Sequence, residues 1–298
     1  MVTSPFVSVI IPSYNSAKTI RQCLDSLLQQ DIDHKRFEII VIDSSDDSTK
    51  AIIKRDYPGV KLLELPQRAY AGTSRNIGIE SAKGDIIAMI DADAEAGKDW
   101  VSRIIEEHRS AFLAIGGAVL NGHPESLVSW SEYFVTSSEY FEKSPRRFVR
   151  TQTTCNVSYK RETFEKYGSF SDSPRAQDVI LNLKLGQHGE PILFEPSIKV
   201  YHLYRTRLKQ LVKREILYGR ARRQVCDLAP IRTPLITKNS ATVCLYPILK
   251  FILITVRVLR WNRSSFFTFL RAIPIVWLVL LSSTYGMLTP GKSRDIDF

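Results

Sequence analysis

Short, unbroken apolar runs alternate with stretches of helical spacing along the first ninety residues, and few folds accept that alternation. Val7–Ile11 (VSVII) and Phe37–Ile42 (FEIIVI) each end in turn-prone polar residues, as buried parallel strands do. Between them, Ile20, Leu24, Leu27 and Leu28 recur at helical spacing within Ser16–Gln30, with Ser16 as the expected cap. That is one βαβ unit. The pattern continues with a helix over Ser48–Tyr57, a strand over Lys61–Leu65, a helix over Thr73–Lys83 and a strand over Asp85–Ile90. It predicts an α/β fold, a Rossmann-like, doubly wound, mostly parallel sheet flanked by helices. At 298 residues the chain is long enough for one large domain with an appendage. No repeat of 20 to 50 residues marks a solenoid.

In open sheets of this kind ligands bind beyond the carboxyl ends of the strands. Here those ends read Pro12-Ser13-Tyr14-Asn15, Asp43-Ser44-Ser45-Asp46-Asp47 and Asp91-Ala92-Asp93. Each alone is a turn or a cap, but three on one edge mark a binding edge. Two carboxylates one residue apart after a buried strand offer hard oxygen to Mg²⁺ or Mn²⁺, ions that also take phosphate oxygens. A nicotinamide enzyme would need GxGxxG in the first turn, where this chain has Pro12-Ser13-Tyr14-Asn15.

VSVIIPSYN (7–15), the VIDSSDDST turn around Asp43, AGTSRNIG (71–78) and GDIIAMIDADA (84–94), in this order and spacing, resemble family 2 glycosyltransferases with a GT-A type fold over roughly residues 5–205. The resemblance implies inverting transfer of a sugar from a nucleotide-diphosphate donor, with a divalent metal on the diphosphate. It places Pro12, Tyr14, Asn15 and Asp43 at the nucleobase and ribose, and Arg75 beside the nucleotide. Asp91 is expected at the ribose or metal, and Asp93 on the metal. TTCNVSY (153–159), with Arg161-Glu162-Thr163-Phe164 and Gly168-Ser169-Phe170, resembles the acceptor side. Asp178 then matches the catalytic base, which must reach the acceptor hydroxyl opposite the leaving diphosphate. Gln177 departs from the acid often found there; without it, Asp178 should have a lower pKa than in a carboxylate pair. His202 resembles a histidine that some relatives place near the metal, although a plain hydrogen-bonded histidine is an equal reading.

Charge divides the chain. Residues 1–198 carry 23 Lys and Arg against 27 Asp and Glu, and residues 199–298 carry 18 against 4. The basic third faces phosphates or a lipid surface. Lys213, Arg214, Arg220, Arg222 and Arg223 lie on an expected helix, Leu208–Leu228, either near the leaving diphosphate or as a solvated basic face beside lipid. Apolar stretches follow at Val243–Leu259 and Phe266–Leu288. Lys250 and Arg257 share one helical face of the first, which suits an in-plane amphipathic helix. The second spans or re-enters, with Arg271 snorkelling and Pro274 in the first turns. Nucleic acid is not expected as a partner, because apolar stretches follow the basic residues and the body is acidic.

Met1–Pro5 lacks the basic start of a secretory signal, and Cys23, Cys155, Cys226 and Cys244 form no disulfide or zinc pattern. The expected organisation is a catalytic domain over 1–205, a basic helix over 206–232 and membrane-associated helices over 233–298. The catalytic domain would face the cytoplasm at the cell inner membrane. Partners would be the nucleotide-sugar donor, a glycan or lipid-linked acceptor and the membrane surface. A polyprenyl-phosphate monosaccharide synthase and a catalytically silent, membrane-bound nucleotide-binding scaffold are the alternatives.

Overall fold

The computed structural model describes residues 6–171, 177–228 and 240–289, excepting the side chains at 224–228 and 240–241. Two compact units emerge: residues 1–120 with 145–203, and residues 121–144 with 204–298. Residues 121–144, expected within the catalytic domain, thus group with the carboxyl-terminal helices.

In the first unit, strands β1 (Val7–Ser13), β2 (Phe37–Asp43), β3 (Lys61–Glu64) and β4 (Ile86–Met89) alternate with helices α1 (Ile20–Leu28), α2 (Thr49–Asp56) and α3 (Ala71–Ser81). The four strands are parallel in the order β3-β2-β1-β4. Helix α1 begins at Ile20; Ser16 instead closes the preceding turn, its carbonyl accepting from the Thr19 and Ile20 amides. Pro12 is tolerated inside β1 for a local reason. The carbonyl of Ile10 bonds to Ile90 and that of Ser13 to Ser44, so position 12 faces the side on which β4 has already ended.

Beyond β4 the sheet changes sense. Strands β5 (Ala94–Ala96), β6 (Ala114–Asn121), β7 (Arg147–Val149), β8 (Val157–Lys160) and β9 (Ile192–His202) extend it in the order β4-β8-β6-β9-β5, with β7 also on β9. Strand β8 runs antiparallel to β4, as β6 does to β8 and as β5 and β7 do to β9. The result is a mixed sheet, with four parallel strands from β3 to β4 and antiparallel pairings beyond them. Helices α4 (Trp100–Glu107), α6 (Glu162–Tyr167) and α7 (Gln177–Gln187) flank it, with α5 (Leu127–Ser137) belonging to the second unit. Buried Asn156 ties the second half of the sheet together: its amide donates to Ala118 O and Ile198 O, and its oxygen accepts from Trp100 Nε1 at 2.9 Å.

The second unit contains α5, α8 (Leu208–Leu228), α9 (Ser240–Val243), α10 (Tyr246–Trp261) and α11 (Phe266–Leu288). Trp130, Tyr133, Phe134, Phe141 and Phe269 form a linked aromatic cluster. Glu132 and Glu215 are fully buried. Arg214 bridges them at 3.2 and 2.7 Å, and Arg205 adds a bond of 3.0 Å to Glu132. Arg214 is therefore an internal counter-ion rather than part of a solvated basic face, because two buried carboxylates require a cation beside them.

Helix α10 turns its apolar side outward: Ile248, Leu249, Ile252, Leu253, Val256 and Leu259 are exposed. Arg257 instead bonds Glu139 at 3.4 Å. Pro274 lies inside α11, which begins at Phe266. The side chain of Cys226 and residues 229–239 lie outside the described residues.

Candidate active site

The strand tips of the first unit bring most of the sequence-selected residues to one edge. After β4 the chain makes a tight turn, with the Ala94 amide on the Asp91 carbonyl at 3.1 Å, and enters β5. Strand β5 pairs with β9 so that Ala94 lies opposite His202. This register sets the His202 imidazole beside Asp93, Nε2 to Oδ1 at 3.5 Å, although 109 positions separate them in the chain. His202 is 12% exposed and Asp93 41%. The donor set of two carboxylates and an imidazole fits a divalent cation: carboxylate oxygen suits Mg²⁺ and Mn²⁺, and imidazole favours the transition metal.

Arg75 arrives from α3. Gly78, one turn further along, lies so close to Ile10 and Ile42 that a Cβ there would approach them to 2.6 and 2.7 Å. The helix can therefore lie directly on β1 and β2. The Arg75 Nη2 donates to Asp91 Oδ1 at 2.8 Å, with the guanidinium 6% exposed. Asn76, the next residue, exchanges two hydrogen bonds with the backbone of Phe170, at 2.8 and 2.9 Å. Gln177 packs against Gly72, where a Cβ would meet the Gln177 Cγ at 2.8 Å. These contacts hold the start of α7, and hence Asp178, near Arg75 and Asp91. Burial pushes the Asp178 carboxyl up, Arg75 and the Val179 amide draw it down, and Asp91 adds to the rise. With glutamine at position 177, the rise comes from desolvation, with a smaller contribution from Asp91, and not from an adjoining acid.

Asp43 is fully buried, and both its oxygens are engaged by Ser45, from the amide at 3.0 Å and the hydroxyl at 2.7 Å. Its carboxylate organises the turn after β2. That turn grips Asn15: the Asn15 amide donates to Ser45 Oγ at 2.7 Å, and the Asp46 amide to Asn15 Oδ1 at 3.0 Å. Asn15 has φ of 52°, a left-handed conformation that asparagine accepts more readily than most residues. Tyr14 stands beside it under the guanidinium of Arg68, 4.6 Å from the ring centroid. The buried Ser13 and Ser44 hydroxyls and Arg75 Nε have no hydrogen-bond partner among the described residues. All three lie at this edge, as donors left for a bound molecule.

Three contributors were not singled out from the sequence. Asn76 and Cys155 lie within motifs that were recognised without assigning them a role. Arg68 occupies a loop with no pattern of its own. The Cys155 thiol, an oxygen of Asp91 and a ring nitrogen of His202 all lie within 4.8 Å of one another. Burial pushes the thiols of Cys155 and Cys23 up, and the nearby Asp91 and Asp93 add to the rise.

Residues 8–168 match the family described as Glycosyl transferase family 2. Glycosyltransferase AglE of Haloferax volcanii is 27% identical over 230 residues, 75% of this chain and 75% of that one. A dolichyl N-acetyl-α-D-glucosaminyl phosphate 3-β-D-2,3-diacetamido-2,3-dideoxy-β-D-glucuronosyltransferase of Methanococcus voltae is 26% identical over 236 residues, 73% of each chain. Among solved structures, the mannosyltransferase PcManGT of Pyrobaculum calidifontis, in complex with GDP-Man and Mn²⁺, superposes with a TM-score of 0.66 at 17% identity, over 97% of this chain and 89% of that one. That likeness establishes the GT-A fold, and with a family match spanning more than half of its length, this chain belongs to glycosyltransferase family 2 and is a glycosyltransferase.

Proposed function

We propose that this glycosyltransferase transfers a sugar from a nucleotide-diphosphate donor, with inversion, to a lipid-linked glycan at a membrane surface. The carrying observation is the convergence of Asp91, Asp93, His202 and Arg75 at the strand tips, beside buried donors with no partner among the described residues. Asp93, Asp91 and His202 would hold Mg²⁺ or Mn²⁺, and the cation, when bound, would neutralise charge on the departing diphosphate. Arg75 would add its guanidinium to the same charge, and Pro12, Tyr14, Asn15 and Asp43 would shape the nucleoside end. Asp178 would take the proton of the acceptor hydroxyl, its raised pKa making it a stronger base than an exposed aspartate.

The lipid-linked acceptor is supported by the relative whose name specifies a dolichyl phosphate substrate. The outward apolar side of α10 and the length of α11 support a lipid surface. At 23 residues α11 extends about 34 Å, enough for a hydrocarbon core of about 30 Å. At 16 residues α10 reaches only about 24 Å and suits the interface plane. The catalytic unit would then work on the cytoplasmic side of the inner membrane.

A screen of UDP-, GDP- and dTDP-sugars by thermal shift with Mn²⁺, followed by transfer of radiolabel to membrane lipid extracts, tests the reading. One donor should stabilise the protein only with the metal, and label should appear in a lipid-linked oligosaccharide. Label in a phosphomonoester-linked single-sugar lipid would assign a polyprenyl-phosphate monosaccharide synthase instead. No donor binding would support a silent scaffold.

A further inference from the structure

The sulfur at the strand tips is foreign to a site built only for hard cations. We propose that Cys155, Asp91 and His202 form a thiolate-bearing site for a borderline divalent cation of the Zn²⁺ or Co²⁺ class, overlapping the position where Asp91, Asp93 and His202 would hold Mg²⁺ or Mn²⁺. The inference rests on reading Asp91 and His202 as metal ligands and adds a third ligand of different chemistry.

The three ligand atoms lie within 4.8 Å of one another. Zinc bonds sulfur at about 2.3 Å and nitrogen or oxygen at about 2.0–2.2 Å, so a tetrahedral set spans roughly 3.3–3.7 Å between ligands. Closing the triangle takes a shift of about 1 Å, which Asp91 can supply because its side chain is 27% exposed and Arg75 engages only one of its oxygens. Asp93, with Oδ1 3.5 Å from the His202 imidazole, stands ready as a fourth ligand. One sulfur, one nitrogen and carboxylate oxygens make a borderline donor set that Mg²⁺ disfavours and Zn²⁺ accepts.

Cys155 is 2% exposed, at the entry to β8, with Asn156 locked to two carbonyls behind it. The backbone that carries its sulfur is therefore held in place. On binding, the thiol proton passes to solvent and the sulfur lone pair forms the metal bond, without any change of oxidation state. The consequence is competition: a cation held by sulfur occupies the position of the activating ion and blocks transfer, so the site is sensitive to zinc.

Co²⁺ titration of the full chain in detergent tests this optically. The wild type should show visible d–d bands together with a near-ultraviolet sulfur-to-cobalt charge-transfer band. Cys155→Ala should keep the d–d bands and lose the charge-transfer band, and bind Zn²⁺ roughly 10-fold or more weakly while its Mn²⁺ affinity stays within threefold. Cys155→Ser serves as a second variant should alanine unfold. Visible bands without charge transfer in the wild type would overturn the thiolate and leave the metal reading intact. Absence of any Co²⁺ uptake would overturn both. A charge-transfer band that survives in Cys155→Ala but disappears in Cys23→Ala would assign the sulfur to Cys23 and overturn the proposal.

Discussion

Asp178 sits between opposing influences: burial and Asp91 favour its protonated form, while the Arg75 guanidinium favours the carboxylate. In the proposed base role Asp178 would work as the carboxylate, so activity should be lost as pH falls through its raised pKa. The acid limb of kcat/KM should therefore lie above the range of an exposed aspartate, and Arg75→Gln, by removing the cation, should move it to higher pH. Asp178→Asn should keep Mn²⁺-dependent donor binding and lower transfer about 10²–10⁴-fold; unchanged transfer would remove it from the base role. Asp93→Ala should abolish the metal-dependent part of donor binding, read by calorimetry.

His108 carries a stability prediction. It is buried against Ser158 Oγ at 2.9 Å, and burial, with Lys160 nearby, pushes its pKa down from 6.5 to about 3. The unfolded chain takes up a proton near pH 6.5 that the folded protein refuses. Stability should therefore fall as pH drops from 6.5 toward 3, by about 1.4 kcal/mol per unit. Thermal unfolding of His108→Gln between pH 7 and 5 should show a flatter decline than wild type, and an equal slope would refute the assignment.

At the level of elements, the crossing of α8 and α11 depends on two glycines. A Cβ on Gly219 would overlap Ser283 O and come within 3.0 Å of Gly286 Cα, and one on Gly286 would overlap Ile216 O. Glycine costs up to about 1 kcal/mol inside a helix, so the close backbone approach is what makes it suitable here. Gly219→Val should destabilise the second unit by about 1–3 kcal/mol through overpacking. Gly186→Ala in α7, where nothing lies within 4 Å, should be neutral or slightly stabilising. Thermal unfolding of the two variants side by side checks the contrast. The same logic of close approach at Gly78 lets α3 deliver Arg75 to the strand tips.

For the molecule as a whole, charge and apolar surface fall in the same part of the chain. The last hundred residues hold 18 Lys and Arg against 4 Asp and Glu, and α10 and α11 expose Ile252, Leu253, Phe267 and Leu281. A basic, apolar carboxyl-terminal region would bind anionic lipid through both terms, at about 1 kcal/mol for each basic residue near the surface. Truncation after Ile231 should shift the protein from the pellet to the supernatant in sedimentation with anionic vesicles. A truncated chain that still pellets would refute the tail as the anchor.

The parallel half of the sheet, its binding edge and the acidic turn after β4 were legible from residues alone, because alternation of apolar runs and helical spacing is a local property. The second half of the sheet was less legible. Strands of three or four residues such as β5 and β7 carry too little pattern to announce themselves. The grouping of residues 121–144 with the carboxyl-terminal helices depends on a buried Glu132 meeting Arg205 and Arg214 more than 70 positions away. Sequence nominated Asp91, Asp93, Asp178 and His202 through resemblance. Only tertiary structure placed His202 opposite Ala94, set Arg75 on Asp91 and brought the Cys155 sulfur to both, since these neighbours arise from strand register and helix packing across long stretches of chain.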